Sequence, residues 1–340
     1  MRKLNIISNE SIFNNGDGFF CDNIDIKSTP EGLNKSFEIN LIGRSSKIIR
    51  NHLINLSNVK NCNNVFTYLY EIFKTFKNDD SKYLIISISP FTFLACILIK
   101  LFRRKPIVYL RSDGYAEYRS ILGFIGPSIY HLMFSIISKI SNFISVRKYI
   151  LRDKNGEIVA PSQLNSNWFK DTKKVNSNEI KLLYVGRIRK EKGIFSLIKI
   201  LKESKKKINL SIVGAENNFD KFNFPENIKI FEIENNETNL IKYYDDHNIF
   251  ILPSFTEGHP MVLLEALARL RPVIVFKDID HVIEDKKGIF VAERNIESLV
   301  EKIEFIKKNY ESIQEEMKKN KLPTKQEFLE SLINIIVKIN

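Results

Sequence analysis

The sequence of 340 residues is poor in the residue types on which several common kinds of site depend. Its three cysteines have neither paired nor CxxC spacing, which excludes a disulfide framework and a cysteine–zinc module and favours a reducing compartment. Its five histidines lack the spacing of a zinc site, which disfavours metal-dependent hydrolysis. GxSxG and GxxxxGK[ST] are both absent, so neither a hydrolase nucleophile elbow nor a P-loop is supported.

Positive charge is concentrated in the front half of the chain. The whole sequence carries a net charge of +12; residues 1–160 hold 22 basic and 13 acidic side chains, and residues 161–340 hold 30 and 27. This excess could attract nucleic acid, an anionic membrane surface or a phosphorylated substrate, or it could reflect a composition rich in lysine and asparagine. The basic residues are not interleaved with aromatics in a recognisable binding motif, so a nucleic-acid partner is disfavoured.

Two apolar stretches approach the length of a membrane span. Residues 83–99 are uncharged, but a β-branched run followed by Pro90 indicates a buried strand and then a helix. The stretch 121–146 is interrupted by a proline, a histidine and a lysine, which favours a core helix leading into a strand. The sequence begins with basic residues, but only about four apolar residues follow, too few for a secretory leader. We therefore expect a cytoplasmic protein, peripheral to a membrane at most.

Strand-like and helix-like segments alternate, which predicts an α/β fold with parallel sheets covered on both faces. In the front half the predicted strands are 3–8, 37–42, 83–89, 107–110, 143–146 and 157–160, and the predicted helices lie near 45–56, 68–76, 91–102 and 119–139. In the back half the predicted strands are 181–186, 209–213, 228–232, 249–252, 273–276 and 289–291. We expect two doubly wound, Rossmann-like domains, 1–160 and 179–322, with a linker at 161–178 and an amphipathic C-terminal helix within 323–340.

Basic residues follow one predicted strand of the back half at the edge where a phosphate would bind. In LLYVGRIRKEKG, residues 182–193, the strand ends at Gly186, and Arg187 and Lys192 follow before a helix. Glycine allows a tight turn there, and a guanidinium with an ammonium suits a diphosphate. A solvated turn with ordinary charges would have the same sequence pattern.

A second segment, FILPSFTEGHPMVLLEALARLRPVIVF at 250–276, carries two carboxylates. A strand, a loop with Glu257 and a helix starting near Pro260 place Glu257 and Glu265 eight residues apart, so both can face one cleft. A carboxylate such as Glu265 can accept both hydroxyls of a ribose. Backbone amides at the start of the helix favour a phosphate or the oxygens of a sugar, and the candidates are Gly258, His259, Met261 and Val262.

Together the two segments resemble the donor domain of the family-4 retaining glycosyltransferases, which have the GT-B fold. The family signature of two glutamates separated by seven residues is present as Glu257-GHPMVLL-Glu265, and VGRIRKEKG resembles the family's basic phosphate motif. The resemblance covers about residues 157–310. It implies two Rossmann-like domains facing across a cleft, with the C-terminal helix crossing back to the first domain.

The resemblance also implies a function. A sugar would pass from a nucleotide-diphosphate sugar, with retention of configuration, to a hydroxyl of a cell-envelope glycan or lipid-linked acceptor, as in capsule, O-antigen or lipooligosaccharide assembly. Arg187 and Lys192 would hold the donor diphosphate without a metal or another cofactor, and Glu257 would act on the sugar. The other implied donor-binding residues are Gly186, Gly258, His259, Pro260, Met261, Val262 and Glu265.

The front half holds two further candidate segments. SIFNNGDGFF, residues 11–20, contains Gly16 and Gly18 and resembles the glycine loop that approaches the donor pyrophosphate, although a simple turn would also fit. YLRSDGYAEYR, residues 109–119, has Arg-Ser-Asp where many family members place a histidine. Asp113 is therefore a candidate catalytic residue, and the candidate acceptor-binding residues are Arg111, Asp113 and Glu117; an Arg–Asp ion pair that supports the loop is the alternative.

The resemblance leaves two other points open. The segments SIVGAEN at 211–217 and 230–238 would flank the nucleotide base, held through backbone groups. A non-catalytic subunit that binds a nucleotide sugar or a glycan is an alternative function. A GT-B phosphorylase or epimerase is disfavoured, because the lysine motif of the former is absent and the latter does not carry this glutamate spacing.

Overall fold

The computed structural model describes residues 2–77, 80–173, 179–204, 207–215 and 224–339. Its strands are β1 (Lys3–Asn14), β2 (Phe19–Cys21), β3 (Glu38–Ser46), β4 (His52–Ile54), β5 (Val59–Cys62), β6 (Lys82–Ile86), β7 (Pro106–Leu110), β8 (Asn142–Ser145), β9 (Gly156–Ile158), β10 (Lys181–Val185), β11 (Asn209–Ala215), β12 (Ile228–Glu232), β13 (Ile249–Leu252), β14 (Val273–Phe276) and β15 (Ile289–Ala292). Its α-helices are α1 (Ile24–Leu33), α2 (Val65–Lys74), α3 (Pro90–Leu101), α4 (Gly114–Leu122), α5 (Gly126–Ile140), α6 (Ile194–Lys202), α7 (Glu237–Asp245), α8 (Met261–Ala268), α9 (Ile296–Lys308), α10 (Tyr310–Met317) and α11 (Lys325–Lys338).

The chain divides into two compact units. Unit 1 comprises the described residues up to Pro161 together with those from Gln326 onward, and unit 2 comprises the described residues from Ser162 to Lys325. The predicted linker, 161–178, is described as far as Lys173. Within it Leu164 and Trp168 are buried in the hydrophobic core of unit 2, because their side chains are large and apolar.

Unit 1 is built on a doubly wound sheet. Its parallel strands run in the order β5-β3-β1-β6-β7-β8-β9, so the chain starts in the middle of the sheet and winds outward in both directions. β2 and β4 form an antiparallel extension at the end of β1. Apart from Lys82 at the start of β6, the central strands β6 and β7 are fully buried apolar runs, as parallel strands covered on both faces require.

Three helical regions of unit 1 differ from the sequence predictions. The helix predicted near 45–56 is wrong: β3 continues to Ser46 and β4 follows, and the apolar pair Ile48 and Ile49 is exposed. Helix α1 was missed because Pro30 lies inside it. The helix predicted at 119–139 is two helices, α4 and α5, separated by a 3₁₀ turn at Gly123–Ile125.

The C-terminal helix α11 packs on unit 1, not on the unit that precedes it in sequence. Phe328, Leu332 and Ile336 are buried in the core of unit 1. The Lys82 ammonium, at the start of β6, donates to the carbonyl oxygens of Ile336 at 2.8 Å and of Ile339 at 2.5 Å. A cation at the carboxyl end of a helix satisfies carbonyls that have no partner within the helix and interacts favourably with its dipole.

Replacing Lys82 with methionine is expected to destabilise unit 1 by about 2 kcal/mol, because charge-assisted hydrogen bonds to the end of α11 are lost. Hydrogen exchange should then become faster in α11 than in β7. Lys3→Met, at an exposed lysine on β1, is the matched control and should leave exchange in α11 unchanged. Equal protection of α11 in both variants would contradict a role of Lys82 in holding the helix.

Unit 2 contains a second doubly wound sheet. Its six strands are all parallel and lie in the order β12-β11-β10-β13-β14-β15. The six strands predicted for the back half are confirmed. The winding direction reverses between β10 and β13, and in sheets of this class ligands bind at the carboxyl ends of the strands beside that reversal.

Candidate functional site

The turn after β10 lies beside the reversal point of the unit 2 sheet. Gly186 has φ +147° and its amide donates to the carbonyl of Val213 at 2.9 Å. A Cβ on Gly214 would lie 2.2 Å from the carbonyl oxygen of Gly186, so the backbone after β10 and the end of β11 approach each other closely. The buried Tyr184 hydroxyl donates to the carbonyl of Arg187 at 2.9 Å and orients the turn, while the Arg187 side chain is exposed.

Lys192 and Glu257, predicted from separate motifs, are in direct contact. The Lys192 ammonium lies 2.8 Å from Glu257 Oε1, and the same oxygen accepts from Ser254 Oγ at 2.6 Å. The Glu257 side chain is only 9% exposed, and that of Lys192 is 25% exposed. A partly buried, hydrogen-bonded cation next to a carboxylate can bind an anionic phosphate with the one and sugar hydroxyls with the other.

The two loops that carry this pair are packed against each other. Gly193, with φ +68°, follows Lys192, and a Cβ there would lie 1.8 Å from the carbonyl oxygen of Pro253. The amide of Phe255 donates to the carbonyl of Glu191 at 3.0 Å. Only glycine fits this approach, so its position just after the lysine is required for the lysine to reach the loop after β13.

Arg294, which the sequence reasoning missed, supports the same loop. Its guanidinium donates to the carbonyl of Pro253 at 3.0 Å and of Ser254 at 3.2 Å, and it pairs with Asp278 at 2.7 Å. It also lies over the ring of Phe255, 4.1 Å from the centroid. The one sequence signal that could have indicated Arg294 is its position two residues after β15, at the same carboxyl edge of the sheet.

His281 also contacts the loop after β13. Its Nε2–H donates to the Glu257 carbonyl oxygen at 2.8 Å. The preceding segment contains an Asp-x-Asp motif, Asp278–Asp280, so the interpretation that the chain has no such motif is wrong; Asp278 pairs with Arg294. Among the residues that the structure describes, no group of three or more His, Cys, Asp or Glu side chains is placed to hold a metal ion.

Glu265 lies on the buried side of α8. It is 8% exposed, and the fully buried Tyr244 hydroxyl donates to its Oε2 at 2.8 Å. Burial and the adjacent carboxylate raise the pKa of Tyr244 well above its ordinary value, so the hydroxyl keeps its proton and acts as a donor.

The start of α8 carries the other donor-binding candidates. Pro260 is the N-cap, with φ −75° and ψ 109°, so the helix begins one residue later, at Met261. The amides of Met261 and Val262 belong to the first turn of α8, where N–H groups lack partners inside the helix. Gly258 and His259 lie in the loop before it and are half-buried.

The base-flanking segment 211–217 is described as far as Ala215, the end of β11. Glu216 and Asn217 lie outside the described residues. The second flanking segment, 230–238, begins within β12 and continues past its end, and the amide of Ile233 donates to the Ala215 carbonyl at 3.1 Å. The two segments are therefore neighbours at the carboxyl edge of the sheet.

In unit 1 the two candidate glycines form the turn of a hairpin. β1 continues to Asn14, beyond the predicted end at residue 8, and pairs with β2. Asn15 Oδ1 accepts from the amide of Gly18 at 2.9 Å, and Gly16 has φ +97°. A donor role for Gly16 and Gly18 stays a prediction, and the geometry is that of a β-turn closed by an asparagine side chain.

Arg111, Asp113 and Glu117 have different partners. Arg111 Nη2 lies 2.5 Å from Asp25 Oδ2, so Arg111 forms an Arg–Asp ion pair, with Asp25 as the partner. Asp113 is the N-cap of α4, accepting from the amide of Tyr115 at 2.9 Å, and its second oxygen lies 3.2 Å from Arg152. Glu117 accepts from Ser112 Oγ at 3.0 Å. A role in catalysis or acceptor binding stays a prediction for all three.

Known proteins are similar to the part of the chain that carries the two motifs. Residues 166–322 match the family model described as glycosyl transferases group 1. The capsular polysaccharide biosynthesis glycosyltransferase CapM of Staphylococcus aureus is 32% identical over 168 residues, which cover 44% of this chain and 43% of CapM. An uncharacterised glycosyltransferase of Haemophilus influenzae is 30% identical over 165 residues, which cover 45% and 46%. The match thus spans less than half the length of these relatives.

Solved structures resemble the chain over its whole length. HepE from Anabaena, in complex with UDP and glucose, has a TM-score of 0.71 at 11% identity and covers 100% of both chains. WaaG, a glycosyltransferase involved in lipopolysaccharide biosynthesis, has a TM-score of 0.64 at 15% identity and covers 98% of this chain and 100% of WaaG. At these identities the likeness establishes the fold alone. The predicted GT-B fold is therefore confirmed, and residues 166–322 of the chain are similar to the glycosyl transferases group 1 family.

Proposed function

We propose that the protein is a retaining glycosyltransferase that moves a sugar from a nucleotide-diphosphate sugar to a hydroxyl of a cell-envelope glycan or lipid-linked acceptor. The observation that carries the proposal is the Lys192–Glu257 ion pair beside the Gly186–Arg187 turn, within the segment that matches the family. A sugar diphosphate requires a cation for its phosphates and a carboxylate for its sugar hydroxyls. Here both lie beside a sharp turn at the reversal point of a doubly wound sheet.

The donor diphosphate is neutralised by side chains in this proposal. Arg187 and Lys192 stabilise the negative charge that develops on the leaving diphosphate, and no metal is needed. When the diphosphate engages Lys192, Glu257 can exchange that contact for a sugar hydroxyl while Ser254 continues to hold its Oε1. The first-turn amides of α8 add fixed dipoles. HepE has been solved with UDP and with UDP-glucose, which supports a nucleotide-sugar donor.

The class of acceptor is proposed from the named relatives. CapM is a capsular polysaccharide biosynthesis enzyme, and WaaG takes part in lipopolysaccharide biosynthesis. The basic front half of the chain suits an acceptor that carries phosphate or is linked to lipid, used at the cytoplasmic face of a membrane.

A screen of nucleotide sugars against cell-envelope acceptors, read by mass spectrometry of the products, tests the activity. We expect a glycosylated product and release of a nucleoside diphosphate for at least one donor. The anomeric configuration of that product, read by NMR, tests retention. Nucleotide binding without turnover of any donor would instead support the binding-subunit alternative.

Replacing Glu265 with glutamine is expected to weaken nucleoside diphosphate binding about tenfold, because the charge-assisted bonds to the ribose hydroxyls are lost. The amide oxygen can still accept from Tyr244, so the free energy of unfolding should change little. Isothermal titration calorimetry with UDP and the other nucleoside diphosphates measures the effect. Glu293→Gln, at an exposed carboxylate after β15, is the control, and equal affinities in the two variants would count against the ribose assignment.

A further inference from the structure

The helices α4 and α5 form an antiparallel hairpin on unit 1 whose tip carries exposed apolar side chains. A Cβ on Gly114 would lie 2.1 Å from the ring of Tyr130, and one on Gly126 would lie 2.0 Å from the carbonyl oxygen of Tyr118, so these glycines allow the helices to touch. Gly123, with φ +65°, lets the chain reverse at the tip. Within the tip, Phe124 is 91% exposed.

Helix α5 carries apolar side chains on both of its faces. The inner face is buried in the core of unit 1 through Tyr130, Met133, Phe134 and Ile137. The outer face exposes Ile129, Leu132 and Ile136 together with Ser128, His131 and Lys139, and the end of α4 and the tip add the exposed Ile121, Leu122, Phe124 and Ile125. The apolar stretch 121–146 predicts a core helix here, and the structure buries only one side of that helix. Seven large apolar side chains exposed within sixteen residues indicate an interaction site.

The surroundings of this face are strongly basic. Residues 81–152 contain eleven Lys and Arg but only two acidic residues, and 118–152 contain no acidic residue. Helix α3 packs beside α5 and ends at the exposed Leu101; the next residue, Phe102, is exposed on one side and stacks on Phe76. The exposed basic residues of α3, α4, α5 and the loop after α3 are Lys100, Arg103, Lys105, Arg119 and Lys139.

We propose that this surface, formed by the α4–α5 tip, the outer face of α5 and the end of α3, binds the surface of an anionic lipid bilayer. Apolar side chains would enter the acyl boundary while lysine and arginine contact lipid headgroups. A membrane is favoured over a protein partner because the surface combines many exposed apolar side chains with a charge that is predominantly positive. The inference deepens the proposed function and rests on it in one respect, since a lipid-linked acceptor is presented at such a surface.

The same hairpin explains why the stretch is not a membrane span. Gly114–Ile140 is the one helical stretch of the described residues long and apolar enough to cross a membrane by length and composition. It is broken at Gly123–Ile125, and α5, with 15 residues, is about 22 Å long, shorter than the hydrocarbon core of about 30 Å. The buried face of α5 also packs in the core of unit 1. The geometry therefore allows α5 to lie in the plane of the membrane interface and not across the membrane.

Flotation of the full chain with vesicles tests the proposal. We expect binding to vesicles of equal parts phosphatidylcholine and phosphatidylglycerol, weaker binding at 0.5 M salt, and little binding to phosphatidylcholine alone. Ile121→Ser/Phe124→Ser should weaken binding at least about tenfold, since two exposed apolar side chains are lost. Lys100→Gln/Lys105→Gln should weaken binding about tenfold at low salt.

Matched controls lie on α9 of unit 2. Phe305→Ser removes an exposed phenylalanine, and Lys307→Gln/Lys308→Gln removes two exposed lysines, so both should change binding less than twofold. Ile121 and Phe124 are exposed, and their double variant should keep the thermal unfolding midpoint of the parent.

Three results would overturn the inference. They are absence of binding to the anionic vesicles, equal loss of binding in the α9 controls, and a dimer in light scattering that only Ile121→Ser/Phe124→Ser abolishes, which would assign the face to a second copy. Donor turnover with a soluble acceptor separates the two proposals. If turnover is present and vesicle binding absent, the surface assignment fails and the proposed function stands; if vesicles bind and no donor turns over, the function fails and the surface stands.

Discussion

Lys192→Met is expected to lower kcat by a factor of about 100 to 1000 while the protein remains folded. Loss of one preorganised charge at a developing oxyanion costs about 3–4 kcal/mol of transition-state stabilisation. Methionine has a similar reach without charge, and Glu257 keeps its hydrogen bond from Ser254, so the loop after β13 retains a support. The effect should fall on kcat more than on KM, because the charge on the diphosphate grows as the sugar leaves.

Single-turnover release of nucleoside diphosphate, with the donor found in the screen, measures this loss. Lys190→Met is the matched control, since Lys190 is an exposed lysine in the same 3₁₀ turn and should change kcat less than threefold. Arg187→Ala should resemble Lys192→Met. Near-normal turnover in both the Arg187 and the Lys192 variant would show that neither side chain stabilises the leaving diphosphate.

The back half of the fold could be predicted from sequence because its strands are buried on both faces. β13 and β14 are uninterrupted apolar tetrapeptides with every residue buried, and a buried parallel strand has this simple pattern. The region 45–56 failed for the opposite reason. Ile48 and Ile49 are apolar but exposed, so hydrophobicity in this region does not indicate burial. The predicted helix therefore has no core to pack against.

The candidate site was predictable where its residues lie in short linear motifs. Lys192 and Glu257 each follow a strand of the unit 2 sheet, and their meeting follows from the strand order. The supporting residues were not predictable, because their contacts join distant parts of the chain: Arg294 reaches the carbonyl of Pro253, and Tyr244 reaches Glu265. Neither belongs to a motif, and only the packed sheet brings them to the loops that they hold.

The Asp245→Asn substitution is expected to destabilise unit 2 by about 3–5 kcal/mol, because it leaves two buried guanidinium groups without a counter-charge. Asp245 accepts from Arg269 through both oxygens, at 2.9 and 2.8 Å, and lies 3.4 Å from Arg271. Both arginine side chains are 1% exposed. Asparagine keeps the shape of the aspartate side chain and one hydrogen-bond acceptor, so the loss of stability measures the contribution of the negative charge.

The same arginines attach the segment before β10 to unit 2. Arg269 donates to the carbonyls of Trp168 at 3.0 Å and Lys170 at 2.6 Å, and Arg271 donates to that of Lys173 at 2.9 Å. Arginines drawn toward solvent would release these carbonyls, so Asp245→Asn should also speed hydrogen exchange at residues 168–173.

Thermal unfolding of the full chain should show the unit 2 transition lowered by about 10 °C, at about 2–4 °C per kcal/mol for a domain of this size. Unit 1 serves as the internal reference, because it contains none of these residues. Asp246→Asn, at the exposed neighbouring carboxylate, is the control and should move the transition by less than about 1 °C. If the two variants melt alike, the buried charges are compensated by the backbone carbonyls alone, and Asp245 does not hold the arginines in place.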